Sequence, residues 1–366
     1  MIGKRFEVKN GVLQTGALKV ALLYVGAVIG AGFASGQEIL QFFGVYGAKG
    51  IWGVALATVL FAYLGAVIQS TAVHLRASSY REVLNYLLGR RLGRIMDLVS
   101  IGMLVAGLGI MLAGSGAVFQ EQFGLPAGAG VLVLAAFVCV VIYSGLNGLL
   151  AVNAVLVPLK IILVVVVCLL ALLVGGGGSE VIEEAVTERT VVGSWLVSAF
   201  LYVSYNMVVP VAVLSSLGCH LNRQQAIRGA VAGGLALGVA ASIVTLAVVT
   251  FFSDLALYEV PMLFLAGIVH PAVRTIISVV IWMAVFTTAI ANAHGLASRW
   301  ALPGTTRYRV VGVSATLLVV PLAFIDFSFL IGFFYPLFGY AGLILILALL
   351  VRPLSRFFVA GRENHV

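Results

Sequence analysis

Charge is what this sequence has least of: Asp, Glu, Lys and Arg make up 9% of its 366 residues, against roughly 25% in an ordinary soluble domain. So few ionised groups cannot cover a water-soluble globule of this size, which excludes a soluble enzyme or binding domain. Cysteine is scarce as well. Cys139, Cys168 and Cys219 stand apart inside apolar runs, a spacing that excludes a disulfide framework or zinc site and leaves them as packing residues. No GxSxG, HExxH or Walker-type loop occurs, so neither hydrolysis nor any other enzyme activity is expected, and no cofactor. The net charge of +8 comes without a basic face among interleaved aromatics, so nucleic acid is not an expected partner. The first apolar segment lacks the compact core and small-residue cleavage site of a secretory signal.

What is abundant is apolar: 62% of the residues, in long uninterrupted runs such as 161–174, and a span of about 20 apolar residues matches a hydrocarbon core of roughly 30 Å. Hydropathy and punctuation place ten spans, near 16–43, 50–74, 93–119, 128–145, 148–174, 191–217, 225–253, 271–298, 308–325 and 328–351. With the N-terminus in the cytoplasm, 17 of the 21 Lys and Arg fall on the inner side. Lys49, Arg189 and Arg274 fall outside and Lys160 lies in mid-span, the asymmetry that the positive-inside rule describes. The expected class is an all-α integral membrane protein of the bacterial plasma membrane with both termini cytoplasmic.

The glycine-rich, acidic stretch 175–190 reads as an external linker between two five-span repeats, 1–174 and 191–366. An odd number of spans per half makes the second half enter from the opposite face, an inverted-topology repeat. The first span of each half carries an interruption: Gly26, Gly30, Gly32 and Gly36 around Phe33, Ser35 and Gln37 in span one, and Ser204-Tyr205-Asn206 before Pro210 in span six. Broken backbone cannot face lipid, so helices one and six are expected to open into a protected cavity. The competing reading is close helix packing at GxxxG spacing.

The segment Gly30-Ala31-Gly32 would present amides at a half-helix start, suited to a carboxylate. Carbonyls freed around Val203 to Tyr205 would suit an ammonium group, with Asn206 beside them. Together with Phe33, Ser35, Tyr202 and Tyr205, they describe a site for a small zwitterion, the two tyrosines serving either as pocket walls or as packing. On span eight, Ala284, Thr287 and Thr288 put a carbonyl and two hydroxyls on one face, an oxygen set that suits sodium unless the hydroxyls bond back to their own helix. Lys160 lies 12 residues into span five, too deep to snorkel, and is either proton-exchanging or held by backbone carbonyls. Glu38 is a second proton carrier, a vestibule residue or a structural hydrogen-bonding group. The histidines read as helix-end residues, Asp97 as a partner of Arg94, Asp326 as a cap, and the apolar stretch Pro261 to His270 as a re-entrant or gating helix.

These residues support a resemblance. The whole chain resembles the amino acid, polyamine and organocation transporter superfamily with the leucine-transporter fold, and GAVIGAGFASGQEILQFFG is similar to the YkvI-type bacterial membrane proteins within it. The resemblance implies a sodium site at the carbonyls of Gly26 and Ile29 with Ala284, Thr287 and Thr288. The run AVNAVLVPLKIILVVVV is similar to that of proton-coupled amino acid permeases, which implies that Lys160 takes the sodium's place. A lysine and a sodium ion repel strongly at close range in a low-dielectric interior, and protons are favoured. Span one has no DPGN-like motif, unlike the divalent-metal transporters of this architecture. Span three lacks the tyrosine that often closes the site, which implies a roomier pocket or another gate. The expectation is an alternating-access symporter for a small amino acid or related amine, in which spans one, two, six and seven rock as a bundle. The alternative is an amino-acid-sensing receptor subunit without turnover.

Overall fold

The computed structural model describes residues 16–77, 79–144, 149–175, 192–219 and 221–363. The expected linker beyond Gly175, the N-terminal fifteen residues and His220 lie outside the described residues. Nine helices among those described are long and apolar enough to cross a membrane. In chain order they are α4 (Ala48–Leu75), α5 (Tyr80–Phe123), α6 (Ala127–Ser144), α7 (Leu149–Val174), α8 (Trp195–Ser215), α9 (Arg223–Thr250), α12 (Pro271–Trp300), α13 (Thr306–Val319, continued to Phe324 by a 3-10 turn) and α14 (Phe327–Glu363). Ahead of them, α1 (Gly16–Val28) is followed by α2 (Ala31–Ser35) and α3 (Gln37–Phe42), the first expected span in three pieces. Two short helices, α10 (Phe252–Leu255) and α11 (Pro261–Val269), join α9 to α12.

Small residues decide which helices touch. A Cβ on Gly234 would meet the backbone of Ala62 and one on Gly238 the side chain of Thr58, so α4 lies directly on α9. Gly229 and Gly233 face Ala17, Val20, Ala21 and Tyr24 in the same order, so α1 and α9 run parallel. Buried Tyr24 ties this group together, donating to the Phe61 carbonyl at 2.9 Å and standing 3.1 Å from Met207 Sδ. The helices of spans one, two, six and seven (α1, α4, α8 and α9) therefore form one packed group.

On the other side, α5 packs against α6 and α12, and α12 against α13. Three of the small residues of α5 serve close packing. Cβ atoms on Gly107, Gly109 and Gly114 would meet Asn292, Leu322 and Phe327, whose side chains take up that space. Gly89 (φ 76°, ψ 171°) divides α5 into a leading segment and the span proper.

Two charged clusters mark opposite ends of the bundle. At one, Asp97 pairs with Arg81 at 3.7 Å and Arg299 at 3.5 Å and accepts from Tyr80 at 2.9 Å, so its partners are not the adjacent Arg94. At the other, the Glu121 carboxylate accepts the amides of Glu259 and Val260, and Arg274 donates to the Gln122 side chain at 3.2 Å. The first amide of α14, on Phe327, is capped at 2.9 Å by Glu259, a role expected of Asp326. Cys168 is buried, but Cys139 is half-buried and Cys219 exposed, so only Cys168 is a core packing residue.

Candidate functional site

The break in helix one is real and has two parts. The Ile29 amide still donates to Val25 O, and the next bond along this stretch runs from Ala34 N to Gly30 O. The carbonyls of Gly26 and Ile29 therefore lack a bond from the amide four residues on. Gly30 is extended (φ −92°, ψ −165°), and a Cβ there would meet nothing within 4 Å, so open space adjoins the break. Helix α2 then starts with Ala31, Gly32 and Phe33, whose amides have no intrahelical acceptor at a helix start. The second part is Gly36, left-handed at φ 81° between α2 and α3. There Ser35 Oγ donates to Gly32 O at 2.8 Å and accepts from the Gln37 amide at 3.3 Å, so Ser35 holds the turn. Buried Phe33 belongs to the core. The packing reading holds for Gly26, where a Cβ would stand 3.3 Å from Val157, but not for Gly30.

Helix six is not broken. From Trp195 to Ser215, α8 is one continuous helix. The carbonyls of Val203 to Tyr205 are thus committed to its ladder, and they are not the freed groups expected for an ammonium. The polar residues that suggested an opening are satisfied by other means. Ser204 donates to Gly339 O of α14, and Asn206 Nδ2 donates to Glu38 Oε1 at 3.0 Å and Tyr202 O at 3.1 Å. Pro210 withdraws one amide, the one that would bond Asn206 O, and the helix passes through it.

Glu38 (1% exposed) is the centre of what the fold assembles here. Helix α3 carries it against α8, where the phenols of Tyr202 and Tyr205 flank it. A Cβ on Gly32 would stand 2.8 Å from Glu38 Oε2 and 3.1 Å from Tyr335 Oη, so glycine lets α2 approach both groups. Tyr335 stacks on Tyr205 with centroids 4.4 Å apart, and Phe42 lies on Tyr205 at 6.1 Å, nearly parallel. Phe42, Phe43 and Phe61 also close around Tyr202. Tyr335 was missed at the sequence level, hidden in the apolar run FFYP, where the following proline is the only cue.

Lys160 is 5% exposed on α7, and among the described residues its ammonium has no hydrogen-bond or ion-pair partner. Its depth follows from its neighbours. Gly175 meets Phe251, which puts the end of α7 against the end of α9, so α1, α7 and α9 all run in one direction. Val157 faces Gly26, and Lys160 lies three residues further on the same face of α7, level with Ile29 and Gly30. On α12, which packs on α2, the hydroxyls of Thr287 and Thr288 donate to Ala284 O at 3.2 and 2.7 Å. Their protons are used within the helix, as the back-bonding alternative requires, while their lone pairs stay on the face of Ala284. Above the break, α11 sets Pro261 and Met262 against Gly36.

Two proteins of Bacillus subtilis (strain 168) align with nearly the whole chain. The membrane protein YkvI is 33% identical over 347 residues, 93% of this chain and 97% of its own. The protein YyaD is 30% identical over 348 residues, 94% and 98%. The chain belongs to the YkvI family of membrane proteins. No protein-family model matches it. Among solved structures, MhsT in complex with L-phenylalanine superposes with a TM-score of 0.57 at 16% identity, over 91% of this chain and 95% of that one. Inward-facing Mhp1 gives 0.54 at 16%, covering 90% and 75%. A mutant manganese transporter of Eremococcus coleocola gives 0.56 at 14%, covering 92% and 77%. This YkvI-family chain therefore has the leucine-transporter fold and is a multi-pass membrane protein.

Proposed function

We propose that the protein is a secondary active symporter of the bacterial plasma membrane that carries a small amino acid or related amine by alternating access, coupled to protons through Lys160. One observation carries the reading. The break at Ile29–Gly30 borders open space, and a buried lysine with no partner among the described residues stands level with it. An ammonium left unpaired in a low-dielectric interior is costly, so a group there is driven to release its proton or to find an anion. A carrier that meets solute and proton in one cavity exploits that competition. The amides opening α2 favour a solute carboxylate, and the end of the bundle that carries Asp97, Arg81 and Arg299 fits a cytoplasmic face.

Sodium coupling is the second reading, favoured by the unbonded Gly26 and Ile29 carbonyls and the oxygen face of Ala284, Thr287 and Thr288. Proteoliposomes loaded with labelled amino acids separate these possibilities. Uptake driven by an imposed pH gradient, lost in Lys160→Gln while counterflow exchange persists, is the expected result. Unchanged proton dependence in the variant rejects the assignment. Saturable binding without exchange would make the protein a sensor.

A further inference from the structure

Because α8 stays helical, the cationic end of a solute cannot use unwound carbonyls of that helix and needs another partner. Helix α3 supplies one. The ion pairs among the described residues are Arg81–Asp97 and Arg299–Asp97, so buried Glu38 has no cationic partner there. Its donors are all neutral, the Asn206 amide at 3.0 Å and the phenols of Tyr202 and Tyr205, beside the stack of Phe42, Tyr205 and Tyr335. Ring faces attract a cation by their quadrupole, and most strongly where water is excluded. The preceding residue points the same way. Gln37 is 1% exposed, its Oε1 has no hydrogen-bond partner, and it lines a cavity of about 380 Å³ with Gln41, Ser328 and Phe329. Two consecutive residues thus present a buried amide oxygen short of a donor, facing a cavity, and a buried carboxylate short of a countercharge, set among aromatic rings. An ammonium group brings three donors and the missing charge.

We propose that Glu38 is the receptor for the solute's cationic amine, reached by way of Gln37, with Phe42, Tyr205 and Tyr335 forming the wall around it. The inference rests on the transport reading only in taking this ligand to be the transported solute. Its test is therefore binding, with propylamine, which carries the amine alone, and propionate, which carries the carboxylate alone. Propylamine is expected to raise the apparent Tm of the purified protein and propionate is not. Glu38→Gln, which retains an acceptor for Asn206, should abolish the propylamine shift, Glu38→Asp should weaken binding about tenfold (~1.4 kcal/mol), and Gln37→Leu should weaken it less. An undiminished propylamine shift in Glu38→Gln overturns the proposal, and so does the absence of any shift in the parent. Should Glu38→Gln fail to fold, a propylamine affinity in Glu38→Asp equal to the parent's overturns it as well. Counterflow measures transport independently, so a failed binding result leaves that reading standing and a failed counterflow leaves this one.

Discussion

Alanine at two of the glycines that interrupt helix one separates backbone conformation from access. Gly36 sits at φ 81°, and a Cβ there would stand 3.3 Å from Pro261 Cβ and 3.5 Å from the Met262 amide nitrogen. A left-handed L-residue costs about 1–2 kcal/mol, of which roughly 0.4–1 is offset by the stiffer unfolded chain. Pro261 opens α11 and cannot yield without moving that helix, and forcing an extra methyl into a packed site costs roughly 1–3 kcal/mol. With the backbone cost, its offset and the overpacking taken together, Gly36→Ala is expected to destabilise by about 3 kcal/mol.

Gly30 is the opposite case. Its extended backbone suits alanine and its Cβ would enter open space, so Gly30→Ala should be neutral or stabilise by about 0.5 kcal/mol. The methyl would nevertheless fill the space through which a solute reaches the amides of α2. Uptake in proteoliposomes should fall about tenfold, ~1.4 kcal/mol of binding, while the apparent Tm holds. Both variants are compared at one scan rate in one detergent, because unfolding of large proteins is often irreversible. If Gly30→Ala loses as much stability as Gly36→Ala, or transports at the parent rate, then the space beside Gly30 is not the solute's approach.

Replacing both Thr287 and Thr288 with valine removes two hydroxyl bonds to Ala284 O within α12. With proton coupling, pH-driven uptake survives in that variant, whereas its loss together with a sodium-stimulated component would move coupling to the sodium site. Glu259, in the connection before α11, has its carboxyl raised above the usual range by burial, reinforced by the Asp326 charge and opposed by the Phe327 amide. A raised folded value means the folded state holds the proton more tightly, so stability falls as pH climbs from about 4.3, the ordinary glutamate value, through the raised one. Glu259→Gln, which still accepts from Phe327, should therefore have the higher Tm at neutral pH and match the parent below pH ~4; equal melting curves at neutral pH would count against that origin of the shift.

The spans were legible because they depend on composition alone. Residues 161–174 or 128–145 have no polar alternative to lipid or core, and most helices fall within a few residues of where hydropathy puts them, the exceptions being α5, which starts at Tyr80 rather than near 93, and α14, which runs to Glu363 rather than 351. The break in helix one was legible for a related reason. Gly36 is a break by conformation, since only glycine takes φ 81° cheaply, and a glycine shows its freedom in the sequence itself. Lys160 stood out because a charge in an apolar run needs an explanation wherever it lands.

Helix six misled because Ser204, Tyr205 and Asn206 announce polarity but not its partners. Their hydrogen bonds go to Gly339 and Glu38, 135 and 168 residues away in the chain, and a polar side chain satisfied by a neighbouring helix gives the backbone no reason to open. The cue lay in α14, where Gly339 and Gly342 repeat at a spacing of three and a Cβ on either would strike Leu201 or Ser204. Those glycines bring α14 onto α8 closely enough for Ser204 to reach a carbonyl of the next helix, and they set Tyr335 beside Tyr205. The same contact that keeps α8 helical therefore builds the aromatic wall at Glu38. A polar triplet in a membrane helix is evidence for an opening only after the small residues of the facing helices have been read for a partner that would close it.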